Sequence, residues 1–202
     1  MKDFENLIFD MGNVLLRYEP ETFVEREKIE NPEDRELLLN NIFRSPNWIK
    51  LDSGEWDEED LEVVALEKLP KHLHEVAKRL IHKWHDPILP MEGMYDLLKK
   101  CKNSGYKIYL LSNASRAQSK YWDRVPGNEL FDGAVVSANL RLMKPDEKIF
   151  KYIINEYNLD PEKTLFIDDM QRNLDGAAKL GISTFLFNGN VEELEEYIFG
   201  GN

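Results

Sequence analysis

Four short segments hold residue types that belong to phosphoryl transfer. A carboxylate, Asp10, closes the apolar run Leu7-Ile8-Phe9, and a hydroxyl, Ser112, closes Leu110-Leu111 and is followed by Asn113. An ammonium, Lys144, precedes Pro145, and an acidic pair, Asp168-Asp169, follows Phe166-Ile167. A carboxylate attacks a phosphate dianion only if their mutual repulsion is cancelled. Mg²⁺ does this, as a hard octahedral ion held by one or two carboxylates together with phosphate oxygens. A lysine adds positive charge where negative charge accumulates, and hydroxyl and backbone donors orient the phosphoryl group. Attack by aspartate divides hydrolysis into formation and breakdown of an aspartyl-phosphate. Two adjacent acids after an apolar strand repel each other unless a cation is near.

Such groups must be gathered by the fold. Strand signals fall at Asn6–Asp10, Tyr106–Ser112, Gly133–Ser137, Thr164–Asp168 and Ser183–Phe187, as apolar runs that read as buried strands. Helical patterns lie between most of them. Tyr95, Leu98 and Cys101 form one stripe, and Ile149, Phe150, Ile153, Ile154 and Tyr157 follow Pro145-Asp146, a good helix start. Leu174, Ala177 and Ala178 form a third stripe, with Gly181 as its C-cap. Strands separated by helices mean βαβ units and a mainly parallel α/β sheet, whose strand ends line one crevice.

One stretch breaks the alternation. From about Leu16 to Asp86 there is no convincing strand. Leu73, Val76, Ala77, Leu80, Ile81 and Trp84 complete an amphipathic face. Two more helices are expected, one around Leu37, Leu38, Ile42 and Phe43, the other around Leu61, Val64, Ala65 and Leu69 after the acidic start Asp57–Asp60. The expected organisation is a catalytic core of residues 1–16 and 87–202, with residues 17–86 inserted as an all-helical cap over the strand-end crevice.

A formal charge of −12 disfavours a nucleic-acid face and docking on anionic membrane. It leaves a phosphorylated small molecule open, because a few cations and a bound metal invert the field locally. Cys101 is the single cysteine, so no intrachain disulfide forms, and it reads as a packing residue. The first residues lack the apolar core of a signal peptide, and no run approaches the ~20 apolar residues of a membrane span. The expected location is cytoplasmic, with no obligate protein partner. His82 and His85 could converge on a metal, but without an H-E-x-x-H pattern the histidines read as solvated or packed. Trp48, Trp56 and Trp84 read as core of the insert rather than a sugar platform.

Taken in order, the four segments and the insert resemble the haloacid dehalogenase superfamily over nearly the whole chain. The resemblance implies a Rossmann-like three-layer core with a type-one helical cap. It makes Asp10 the nucleophile, Ser112 and the backbone amide of Asn113 the phosphoryl-oxygen donors, and Lys144 the neutralising ammonium. It places magnesium on Asp10, the carbonyl of Gly12, Asp168 and Asp169, with Asp169 expected as the direct ligand of the pair, and puts Asn173 in a supporting position. The run Phe-Asp-Met-Gly-Asn-Val-Leu further resembles a sub-branch with bacterial phosphatases of the α-glucose-1-phosphate type.

Most phosphatases of the superfamily carry a second Asp two residues after the nucleophile, which protonates the leaving alcohol and then activates water. Gly12 stands there, and it also permits a positive φ. General acid–base help is worth roughly 10²–10⁴-fold. The expected function is a Mg²⁺-dependent phosphatase acting on a small phosphorylated metabolite, sugar phosphates among the candidates. The alternatives are a catalytically weak phosphate- or partner-binding protein and a phosphomutase. A dehalogenase would leave Asp168-Asp169 unexplained.

Overall fold

The computed structural model describes residues 4–200. Five parallel strands, β1 (Asn6–Phe9), β2 (Lys107–Ser112), β3 (Gly133–Val136), β4 (Thr164–Asp168) and β5 (Ser183–Leu186), form one sheet in the order β3-β2-β1-β4-β5. The register pairs Phe9 with Leu110 on one side and with Ile167 on the other. The carboxyl ends of β1, β2 and β4 therefore lie side by side, which brings Asp10, Ser112 and Asp168 to one edge.

The strands are continuous apolar runs because both faces are covered. Leu7 and Phe9 pack with Ile108, Leu110, Leu165 and Ile167 under α6 (Met94–Asn103) and α10 (Val191–Phe199). Ile8, Tyr109, Leu111 and Phe166 turn the other way, onto α8 (Glu147–Glu156) and α9 (Gln171–Ala178). The alternation of Leu7, Ile8 and Phe9 between two cores is the period-2 geometry of a strand, and the result is a three-layer Rossmann-like α/β sandwich. Asp146 caps α8 by accepting from Lys148 N at 2.9 Å, as its place after Pro145 predicts. Cys101 is fully buried in the first core, and burial pushes its thiol up to about 12, which leaves it a packing residue. In α6 the inward stripe is Met94, Leu97, Leu98 and Cys101, whereas Tyr95 is exposed, in contrast to the expected stripe.

Between β1 and β2 the chain forms α1 (Pro20–Glu25), α2 (Pro32–Asn41), α3 (Trp48–Asp52), α4 (Glu58–Lys68) and α5 (His74–Lys83). Phe23, Leu38, Ile42, Leu61, Ala77, Leu80 and Ile81 build a hydrophobic cluster of their own. The chain leaves the core and returns to it side by side, where Arg17 N donates to Leu89 O at 2.8 Å and Met91 N to Leu15 O at 2.9 Å. A short helix, α7 (Ser137–Leu140), follows β3 and meets α3. No helix among the described residues is long and apolar enough to cross a membrane.

Candidate active site

Asp10 follows β1 directly, buried, with its backbone N–H bonded to Ile167 O at 2.9 Å. The Lys144 ammonium lies 2.8 Å from Asp10 Oδ1 and 2.7 Å from Asp168 Oδ2, and also donates to Leu111 O at 2.9 Å. The loop carrying Lys144 is fixed by Asn113, whose side chain accepts from Lys144 N and donates to Lys144 O, both at 2.9 Å. The Asn113 side chain is thus occupied in positioning the lysine. Ser112 ends β2 with its side chain buried.

Asp168 is fully buried and saturated with donors. Oδ1 accepts from Met170 N at 2.8 Å, and Asn173 Nδ2 bonds both carboxylate oxygens at 3.0 and 3.1 Å. Asp169 is half-buried, and its Oδ2 accepts from Asn13 Nδ2 at 3.0 Å. Asn13 holds φ +55°, a left-handed conformation that Asn adopts more readily than most residues, and its Oδ1 takes the N–H of Tyr18 at 3.0 Å. The turn after β1 is in this way tied to the end of β4.

One oxygen from each of Asp10, Asp168 and Asp169 lies within 4.8 Å of the others. Burial raises the Asp10 pKa to about 6, against the pull of Lys144 and with the push of Asp168. Burial works against the Lys144 charge, yet Asp10 and Asp168 outweigh it and hold its pKa above the ordinary value. Asp169 is also raised by burial, partly offset by the Asn13 hydrogen bond. Three converging carboxylates with one ammonium bridging two of them leave net negative charge, which a hard divalent cation would neutralise. Asn173 Oδ1 is buried beside them without a hydrogen-bond partner.

Asp10, Lys144, Asp169 and Asn173 form the floor of a cavity of about 370 Å³, with Gly12, Ser112 and Asn113 in the same lining. The opposite wall comes largely from the insert, with Tyr18, Phe43, Trp48, Ile49, Asp52 and Trp84, joined by Tyr121. Trp48 and Trp84 are therefore both packing and cavity-lining residues: they join the aromatic cluster of Tyr18, Phe23 and Phe43 and also face the cavity. Trp56 instead stacks under Lys50, with the ammonium 4.0 Å from the ring centre. The histidines do not converge. His82 Nε2 lies 2.7 Å from Glu62, His72 pairs with Asp34, and His85 stacks on Tyr121.

At Gly12 the backbone lies outside the left-handed region and a Cβ would meet no heavy atom within 4 Å, so the positive φ permitted there is not used. Asn13, Tyr18 and Asp52 are site residues that the sequence reading did not single out. Asn13 sits inside the first motif, so its position was readable. Asp52 is one acid in an acid-rich insert, and only the tertiary arrangement places it here.

A family model for haloacid dehalogenase-like hydrolases matches residues 4–181. A sesquiterpene phosphatase of Aspergillus oryzae is 24% identical over 89% of this chain and 87% of its own length. A D-ribitol-5-phosphate phosphatase of Bacteroides thetaiotaomicron is 25% identical over 90% of each chain. Among solved structures, a haloacid dehalogenase family enzyme from Bacteroides thetaiotaomicron superposes with a TM-score of 0.73 at 23% identity, over 98% of this chain and 99% of that one. The same enzyme, in a complex with magnesium and inorganic phosphate, superposes with a TM-score of 0.69 at 24% identity, over 93% and 96%.

Proposed function

The chain belongs to the haloacid dehalogenase-like hydrolase family, and we propose that it is a Mg²⁺-dependent phosphatase that works through an aspartyl-phosphate on Asp10. The observation that carries this reading is the convergence of Asp10, Asp168 and Asp169 at the carboxyl edge of a parallel sheet, with the buried Lys144 ammonium bridging the first two. Carbon–halogen cleavage by the same nucleophile has no use for three converging carboxylates.

In this reading Asp10 attacks phosphorus, Lys144 offsets the charge of nucleophile and phosphate, and Ser112 and the Asn113 amide bind the phosphoryl oxygens. Magnesium would be held by Asp10, the Gly12 carbonyl and Asp169, and when bound it would cancel the repulsion between carboxylate and phosphate. Asp168 would support it indirectly. Its oxygens already take Lys144, Asn173 and Met170, whereas Asp169 has one donor, Asn13. Asn173 Oδ1, buried and unpartnered, is an acceptor next to this group.

We read the helical insert, residues 17–86, as a cap that selects the substrate, because Tyr18, Phe43, Trp48, Ile49, Asp52 and Trp84 bring its side chains into the cavity wall. The substrate class is a small phosphomonoester whose organic part meets aromatic side chains. Phosphorylated carbohydrates and polyols, on whose flat C–H faces aromatic rings pack, fit this description. The α-glucose-1-phosphate resemblance names one member of the class and rests on the Asp10–Asn13 run.

The test is a screen of phosphorylated metabolites with Mg²⁺, with Asp10→Asn as control. Phosphate release is expected from the wild type and is expected to vanish in the variant, since an amide is no nucleophile. Retention of more than about a tenth of the rate by Asp10→Asn would exclude the covalent route.

A further inference from the structure

Resting on the phosphatase reading, we propose that Asp52, reaching the cavity from the helical insert, is the general acid and then the general base of the reaction. An ester of an ordinary alcohol leaves slowly unless a proton arrives at the departing oxygen. Gly12 has no side chain to supply one, and the space beside it is open.

Asp52 lines the same cavity as Asp10, Gly12 and Lys144. The other carboxyls of the site each have a donor: Asp10 and Asp168 share Lys144, and Asp169 accepts from Asn13. Among the described residues, the Asp52 carboxyl has no hydrogen bond and no cation. It is half-buried, and it ends α3, where the helix carbonyls disfavour a negative charge.

Its position is held by the core. Ser137 Oγ, on α7, donates to the Asp52 carbonyl at 2.5 Å. Arg116 donates to Gly54 O at 2.8 Å and pairs with Asp57 at 2.8 Å. Gly54 has φ +72°, and a Cβ there would collide with the Ala138 carbonyl, so the close approach needs glycine. Ser137, Arg116 and Gly54 thus fix the backbone at Asp52 and just after it against the strand-end loops.

The surroundings favour the protonated form. Burial, followed by repulsion from Asp10, raises the Asp52 pKa to about 8. Tyr18 and Tyr121 face it from the turn before α1 and from the segment after β2, and burial keeps both phenols neutral at ordinary pH. On α4 the nearby acid, Glu58, is answered by Lys120. α7 presents the Ser137 hydroxyl and no charge.

In the first step an Asp10 oxygen bonds to phosphorus, the bond from phosphorus to the ester oxygen breaks, and the Asp52 proton moves to that oxygen. The alcohol leaves and Asp52 becomes a carboxylate. In the second step Asp52 takes a proton from water as the water oxygen bonds to phosphorus. The bond from phosphorus to Asp10 breaks, inorganic phosphate departs, and both aspartates return to their starting states.

The experiment measures kcat/KM with Mg²⁺ for 4-nitrophenyl phosphate, phenyl phosphate and ribitol 5-phosphate, in the wild type, Asp52→Asn and Asp52→Asn/Gly12→Asp. With Asp52→Asn, the alkyl ester is expected to lose ~10²–10⁴-fold, while the 4-nitrophenyl ester keeps an initial burst of 4-nitrophenol. The double variant is expected to recover part of the alkyl-ester rate. In the wild type, kcat/KM for the alkyl ester should fall above about pH 8, and this limb should be absent in Asp52→Asn. The wild type alone gives a check that needs no variant: its dependence on leaving-group pKa should be steeper at pH 9 than at pH 7. An equal loss on all three esters, no loss, or a slope unchanged between the two pH values would overturn the role of Asp52 and leave the phosphatase reading standing. If the wild type cleaves none of the three, the phosphatase reading falls and this role falls with it.

Discussion

At the scale of single residues, the two acids after β4 carry different loads. Asp168 is fully buried and answers Lys144, which has no other buried counter-ion than Asp10. Asp168→Ala leaves a buried ammonium half-compensated, a change that typically costs about 3–5 kcal/mol. A clear drop in the denaturant midpoint is therefore expected. Asp169 is half-buried and accepts from Asn13 in the cavity lining. Asp169→Ala is expected to leave the midpoint nearly unchanged while weakening Mg²⁺ binding by calorimetry more than Asp168→Ala does. Equal metal affinities in the two variants would refute the assignment of Asp169 as the direct ligand. Asp52 predicts the reverse pattern, a gain in stability. A carboxyl whose folded pKa is raised loses stability as pH climbs from its unfolded value, about 4, to its folded value, about 8. The melting temperature of Asp52→Asn should accordingly exceed that of the wild type by a margin that widens across this window and is absent below it.

At the scale of elements, the insert and the core meet at a narrow seam. Gly54→Ala would place a methyl group against the Ala138 carbonyl in a left-handed conformation. It is expected to lower kcat/KM for large substrates while sparing acetyl phosphate, which needs no cap wall; equal loss on both would mean the seam also shapes the floor. Trp48→Ala and Trp84→Ala should shift the preferred phosphoester by opening the aromatic wall, read as a changed ranking of kcat/KM values across the metabolite screen. The strands, and the four polar segments that the fold brings together, were legible in the sequence. Strands buried on both faces leave uninterrupted apolar runs, and each run stops at the polar residue it delivers, as Phe9 stops at Asp10 and Ile167 at Asp168. The helices were legible where one face is wide, as in α5 and α8. In α6 Leu98 and Cys101 are buried as their spacing predicts, whereas Tyr95, which counts as apolar in a periodicity, lies at the surface. Asp52 left no local trace. Its meaning comes from Ser137 and Gly54 docking one end of α3 over a cavity whose floor is distant in the chain.

At the scale of the whole molecule, β1 is the first strand among the described residues and the middle one in the sheet, flanked by β2 and β4. Its partners come late, and the buried contact from Asn6 to Thr164 spans 158 positions. A chain emerging from the ribosome therefore displays Leu7-Ile8-Phe9 long before anything can cover it. The helices of the insert, whose contacts are local, can condense first. Pulse-labelled hydrogen exchange during refolding should show protection in α4 and α5 ahead of β1, and simultaneous protection would contradict this order. A nascent or truncated chain that stops short of β4 keeps Asp10 but lacks both Asp168 and the strand that seats Asp10. The cluster of three carboxylates is thus complete only once β4 has been made, and until then the same three apolar residues are a site for chaperone capture or for aggregation.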